Sequence, residues 1–333
     1  MSTTSSSSEL ELTSSLGRVP ELWFPDATLV FQAENSLFRV HSGILSRQSS
    51  VFRDMLAFPQ PEPESGLEPD DIVDGCPTVV LHDKAADVTS FFRAIYDSSI
   101  FSFFVPPFSP PLDTLAGILR LSIKYDVDYL RQRCLRHLSD IYPTTLKAWD
   151  LLGYSRDIIN FRTPPKVYPV FQILALLKEV DAPWLIPAIM YLGCSNPIQR
   201  IVDGVELGGT LEMTPEKRTI LIAYPEQGIA VESVLRFLKQ RFPECHTPER
   251  CNAELLQLSQ FIAEHWSTCH FPLEIWEEHD WDQIAGDLCG ACVGQCRKTH
   301  ASARQEFWDR LPAIFGVDLR WDELEKLKEA ALE

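Results

Sequence analysis

Strand-prone sequence occurs in three short runs, and all lie near the start of the chain: Ala27-Thr28-Leu29-Val30-Phe31, Leu37-Phe38-Arg39-Val40 and Thr78-Val79-Val80-Leu81. Turn-formers Ala33-Glu34-Asn35-Ser36 separate the first two, which predicts a hairpin with a loop of four or five residues. After the second run, Ile44, Leu45, Val51, Phe52, Met55 and Leu56 recur at helical spacing, broken near Gln48-Ser49-Ser50, so two short helices are expected. Residues 59 to 77 are rich in Pro and acidic side chains and read as an exposed loop. Beyond the third run, Asp87 is placed to cap a helix carrying Val88, Phe91, Phe92 and Ile95. Leu112, Leu115, Leu119 and Ile123 then mark one helix, and Val127, Leu130, Cys134, Leu138 and Ile141 the next. Three strands cannot bury both faces alone. A small mixed sheet flanked by helices gives Leu29, Phe31, Phe38, Val40, Val79 and Leu81 a common interior.

From about residue 143 the remaining patterns are helical, punctuated by Pro. Thr214-Pro215-Glu216 starts a helix, Pro225 interrupts it, and 230 to 242 resumes. Asn252 is placed to cap a helix with Leu255, Leu258, Ile262 and Trp266. A long helix is expected over about 288 to 311, ended by Gly316, followed by an amphipathic segment, docked or frayed, from Trp321 to Leu332. Ile118, Leu119, Leu121, Asp126 and Leu130 recur as Ile173, Leu174, Leu176, Asp181 and Leu185 at one offset, with Tyr129 and Trp184 also aromatic. A duplicated helical hairpin and the general likeness of all such hairpins both account for it.

With 333 residues, about two domains are expected. Acidic residues (47) exceed Lys and Arg (30), leaving a net charge of -17, which argues against nucleic acid or an anionic membrane as a whole-surface partner. No apolar run approaches the roughly 18 residues of a membrane span. The Ser-rich start lacks the basic and apolar regions of a secretory signal. Nine cysteines, an odd number, fit a reducing compartment, cytoplasm or nucleus, with thiols free, packed or metal-bound.

The residues themselves resemble the BTB/POZ family. Pro25-Asp26-Ala27-Thr28-Leu29-Val30 is similar to the family's entry Asp and first core strand. Leu37 to Leu45, through His41, resembles the second strand running into the His-headed helix, and Ser46 to Met55 the stretch after it. Lys124 to Leu130 is similar to the later Tyr-x-Val-x-x-Leu region. The remainder, including Trp308 to Phe315, resembles the C-terminal part of BTB proteins abundant in fungi. The implied organisation is a flexible tail over 1–20, an α+β BTB/POZ domain over 21–142 and an all-α C-terminal domain over 143–333.

The resemblance implies a protein–protein interaction module, commonly a homodimer joined across its first helix and edge. Some members recruit a cullin scaffold as substrate adaptors of ubiquitin ligases; others recruit transcriptional partners. Carried onto this chain, the dimer contacts are Leu10, Leu12, Leu16, Leu22, Trp23, Asp26, His41 and Leu45. The apolar members of the first segment face a partner or pack locally. His41 reads as a structural helix-start residue. Two departures matter. Ser42 stands where well-known members have a basic residue facing the entry Asp, so Asp26 is expected to lack that partner. Phe58 with Glu62 or Glu64 stands in for the apolar-Glu pair of cullin-binding members, the alternative being a solvated variable loop.

No P-loop, dinucleotide fingerprint, H-E-x-x-H, G-x-S-x-G or EF-hand pattern is present, and no enzyme is expected. The one reactive constellation is Cys289-x-x-Cys292, followed by Cys296 and His300. These share a helix face, but Cys289 to His300 rises about 16 Å, too far for four ligands of one ion. Two or three can come from this helix, and Cys245 with Cys251 is the best second pair, with Cys269-His270 behind it. A structural zinc site of Cys245, Cys251, Cys289 and Cys292 would tie two remote segments together. The alternatives are a redox-responsive cluster, or Cys292 and Cys296 as small apolar residues in a helix stripe.

Overall fold

The computed structural model describes residues 16–57, 72–97, 99, 110–152, 169–265, 271–286 and 288–333. The chain divides into two compact units, with the division between Arg131 and Gln132. None of the described helices is long and apolar enough to cross a membrane.

The first unit holds all five described strands: β1 (Gly17–Trp23), β2 (Leu29–Ala33), β3 (Ser36–Val40), β4 (Ile72–Val73) and β5 (Cys76–Leu81). They form one mixed sheet in the order β1-β3-β2-β5-β4. β2 and β3 are antiparallel with Phe31 opposite Phe38, and β2 and β5 are parallel with Phe31 beside Val79. The helices of this unit are α1 (Ser42–Gln48), α2 (Ser50–Ala57), α3 (Ala85–Tyr96), α4 (Leu112–Lys124) and the start of α5 (Asp128–Ile141), which crosses the division.

Aromatic side chains fill the space between sheet and helices. Phe31, Phe38, Phe52, Phe91 and Phe92 are fully buried. Phe92 packs within 5.7 Å of both Phe31 and Phe38, and Phe52 stacks on Tyr125 at 4.5 Å. Each buried Phe contributes roughly 1.5–3 kcal/mol. Ser49 explains the break between α1 and α2. Its hydroxyl accepts from the Phe52 amide at 2.9 Å, capping α2, and donates to the Tyr125 carbonyl. Gly117 lets α4 approach α3: a Cβ there would meet the Asp87 Cα at 2.9 Å.

Several sequence expectations need correction. The β2–β3 connection is a two-residue turn, with Glu34 in the left-handed region at φ 50°, rather than a loop of four or five. The acidic stretch ends in structure: Asp74 and Gly75, both at positive φ, join β4 to β5 in a tight hairpin. The N-terminal tail was expected to run to residue 20, yet β1 begins at Gly17 and pairs in parallel with β3. Pro20 and a polar composition hide it, as befits an edge strand. α3 begins at Ala85 after Lys84, so Asp87 sits inside its first turn and faces Arg120 at 3.5 Å.

The second unit is helical throughout its described residues. After the rest of α5 come α6 (Leu146–Leu151), α7 (Val170–Val180), α8 (Ile186–Cys194), α9 (Ile198–Asp203), α10 (Pro215–Val234), α11 (Pro248–His265), α12 (Glu278–Ala285), α13 (Gly290–Ile314) and α14 (Trp321–Leu332). Thr214 caps α10 as expected, but the helix passes through Pro225 without a break. α11 starts at Pro248, a residue suited to a first turn, so Asn252 lies inside the helix rather than capping it. α14 is docked: Leu324 is buried, and Trp321 stacks on Trp308 at 5.0 Å and 8°.

One core of this unit gathers Trp149, Tyr191, Phe307 and Trp308 beside the Arg304–Asp150 pair. Another gathers Phe237, Leu255, Trp276, Trp281 and Cys296. The sequence repeat has a conformational counterpart. Asp126, after α4, and Asp181, after α7, both take left-handed backbone, at φ 53° and 45°. Few non-glycine residues do so, and both sit at a helix corner with a buried leucine four residues later.

Candidate interaction face and candidate metal centre

The start of α1 is held by a polar and aromatic knot. His41 precedes the helix in extended backbone, and its carbonyl accepts from the Ile44 and Leu45 amides. The Tyr96 hydroxyl accepts from the His41 amide at 2.9 Å and donates to the His41 carbonyl at 3.2 Å. Phe24 stacks on Tyr96 at 4.9 Å and lies 5.2 Å from the His41 ring. His41 Nε2 stands 3.2 Å from Asp26. Asp26 therefore has a partner despite Ser42, and the hydrogen bond from His41 holds its carboxyl below the usual carboxylate range. Burial pushes the Tyr96 hydroxyl up to about 12.

The residues expected at a dimer seam separate by burial. Leu22 and Leu45 are 1% and 0% exposed, so their side chains serve this unit's own interior. Leu16 is 46% exposed, Trp23 and His41 are half-buried and Asp26 is open to solvent. Arg18 lies over the Trp23 ring at 4.6 Å and pairs with Asp74 at 2.8 Å. Ile44, beside Leu45 in α1, is 40% exposed, and Val51 in α2 is also exposed. Sequence reading gives Ile44 and Val51 only as members of a helical pattern, and Tyr96 and Phe24 no place at this face. Exposed apolar residues early in α1 carry no pattern that separates them from core positions. Leu10, Leu12, Phe58, Glu62 and Glu64 lie outside the described residues.

In the second unit four cysteines converge. Cys245 lies in the loop before α11, Cys251 in the first turn of α11, Cys289 just before α13 and Cys292 in its first turn. One ligand atom from each falls within 4.8 Å of all the others. Cys245 Sγ and Cys289 Sγ are 3.9 Å apart, far beyond the roughly 2.05 Å of a disulfide. Cys251 Sγ accepts from the Cys289 amide at 3.3 Å and lies 3.1 Å from Thr247 Oγ1. Backbone amides of His246 and Cys292 beside the Cys289 sulfur lower its pKa to about 6, while burial pushes Cys292 up. Cys296 and His300, on the same helix, stay outside the cluster. Cys296 is a fully buried core residue, and His300 sits against Trp276, Trp281 and Phe237 at 5.4 to 6.0 Å. Cys269 and His270 lie outside the described residues.

A small curled sheet with helices on it, followed by a helical region, is the architecture of the described residues. Residues 21–142 match the profile of the BTB/POZ domain, and the chain carries that domain. It is a protein–protein interaction module. No curated protein and no solved structure matches the chain.

Proposed function

We propose that the protein is a homodimerising adaptor or scaffold that assembles partners through its BTB/POZ domain. The observation that supports this most is the state of α1: Tyr96 and Phe24 hold its start rigidly, Leu45 anchors it, and Ile44 is left exposed beside His41 and Asp26. A fixed helix with an uncovered apolar residue suits association with a second copy. In this reading Leu16, Trp23, Asp26, His41 and Ile44 carry the seam, and the helical C-terminal region carries the cargo. The free state of the described cysteines fits action in a reducing compartment, cytoplasm or nucleus.

Within the same class, the adaptor would serve a cullin-based ubiquitin ligase, with Phe58, Glu62 and Glu64 in the partner loop. Light scattering after gel filtration, on the full chain alone and mixed with a cullin scaffold, tests both readings. A dimer that gains cullin mass supports the ligase adaptor. A dimer that stays unbound keeps the scaffold and removes the ligase. A different class is supported by the cysteine cluster: a C-terminal module whose structure responds to metal or to oxidation.

A further inference from the structure

We propose that Cys245, Cys251, Cys289 and Cys292 bind one zinc ion as a tetrahedral thiolate site, and that this ion organises the core of Phe237, Leu255, Trp276 and Trp281. The inference rests on the metal-responsive reading of the C-terminal unit and specifies its metal, ligands and role.

The geometry is that of a tetrahedron's corners. Zinc–sulfur bonds of about 2.3 Å at the tetrahedral angle place sulfurs about 3.8 Å apart. The Cys245–Cys289 separation is 3.9 Å, and no pair of the four exceeds 4.8 Å. All four ligands are soft sulfurs, which select zinc over the hard cations that take oxygen. The ligands come as two pairs, each at the start of a helix of more than four turns, α11 and α13. The Cys289 amide already points at the Cys251 sulfur, the kind of outer contact that orients a metal ligand. On loading, each thiol that joins the ion releases its proton to solvent, so up to four protons leave, and no oxidant or reductant is involved.

The site sits at one end of a core that is otherwise aromatic. Cys251 and Cys292 pack with Phe237, Leu255, Trp276 and Trp281. The ligands also come from segments far apart in the chain, so one ion closes a long loop. Small cores of this kind gain folding free energy directly from metal.

The test uses the full chain, purified without added metal or chelator. Elemental analysis should find one zinc per chain, and replacement by cobalt should give thiolate charge-transfer and tetrahedral d–d absorption. Cys292→Ser and Cys245→Ser should lose the ion, while Cys296→Ser and Cys134→Ser should keep it. Should the ligand variants fail to fold, the cobalt spectrum of the unaltered chain decides alone. Absence of both zinc and a tetrahedral cobalt spectrum overturns the proposal. If the same chain then forms a reversible Cys245–Cys289 disulfide under mild peroxide, the oxidation-responsive reading stands without the metal. If it does neither, both fall. Zinc retained in well-folded Cys292→Ser also overturns the site as drawn.

Discussion

The Tyr96 hydroxyl closes a two-way hydrogen bond with the backbone of His41, accepting from its amide at 2.9 Å and donating to its carbonyl at 3.2 Å. This fixes where α1 begins, and with it the direction of Ile44 and the Asp26–His41 pair. Tyr96→Phe removes both bonds and leaves the ring in place. The expected loss is about 1–2 kcal/mol at pH 8 in urea unfolding. Burial raises the hydroxyl pKa from 10 to about 12, so the fold favours the protonated form. The wild-type advantage is therefore whole below pH 10 and declines as pH rises through the folded value. The gap between wild type and Tyr96→Phe should narrow between about pH 10 and pH 12. A gap that widens over that range would refute this account of Tyr96.

Ser49 links α2 to the end of α4 through one hydroxyl. Ser49→Ala deletes the α2 cap and leaves the Tyr125 carbonyl without that donor. Thermal unfolding should show a loss of about 1–3 kcal/mol. Ser50→Ala, whose hydroxyl bonds the exposed Asp126 carboxylate, should lose less. Equal losses at the two positions would show that burial of the bond is not what matters.

His300 is buried against three aromatic rings, and its Nε2 has no hydrogen-bond partner among the described residues. Burial, aided by the Arg304 guanidinium, lowers its pKa to about 3, and Glu274 lines the same recess. The unfolded chain takes up this proton near pH 6.5 and the folded chain does not. Stability from this residue is present above the unfolded pKa and falls as pH drops toward the folded one. The slope is about 1.4 kcal/mol per pH unit at most. His300→Phe should flatten stability over pH 6 to 4 and leave neutral stability equal or higher. An unchanged acid slope would assign that slope to other groups.

Much of the first unit could be read from sequence because its signals are local. Short β-prone runs at Leu29 to Phe31 and Leu37 to Val40, separated by turn-formers, mark the hairpin, and His41 and Tyr125 mark the elements that follow. β1 escaped because a strand with Pro20 and a single buried residue, Leu22, has no apolar alternation to detect. The Asp74-Gly75 turn was legible, since that dipeptide is a strong hairpin signal, but the acidic run before it outweighed it. In the second unit, Pro225 signals a break, yet α10 runs through it. Rise along the helix requires further ligands from another segment, for which Cys245 with Cys251 is the best pair, and the fold brings that pair to Cys289 and Cys292. The exposure of Ile44, by contrast, depends on what packs around α1, which no local pattern encodes.

The most direct test of the assembly reading is sedimentation equilibrium of the full chain, wild type beside Ile44→Glu, over a wide concentration range. The wild type should sediment at twice the 37.9 kDa chain mass. Ile44→Glu places a charge on the exposed face and leaves the core untouched. It should weaken association at least about tenfold, on the order of 1.4 kcal/mol, with an unchanged circular dichroism spectrum. A wild-type mass that stays at the single-chain value at every concentration would contradict the account.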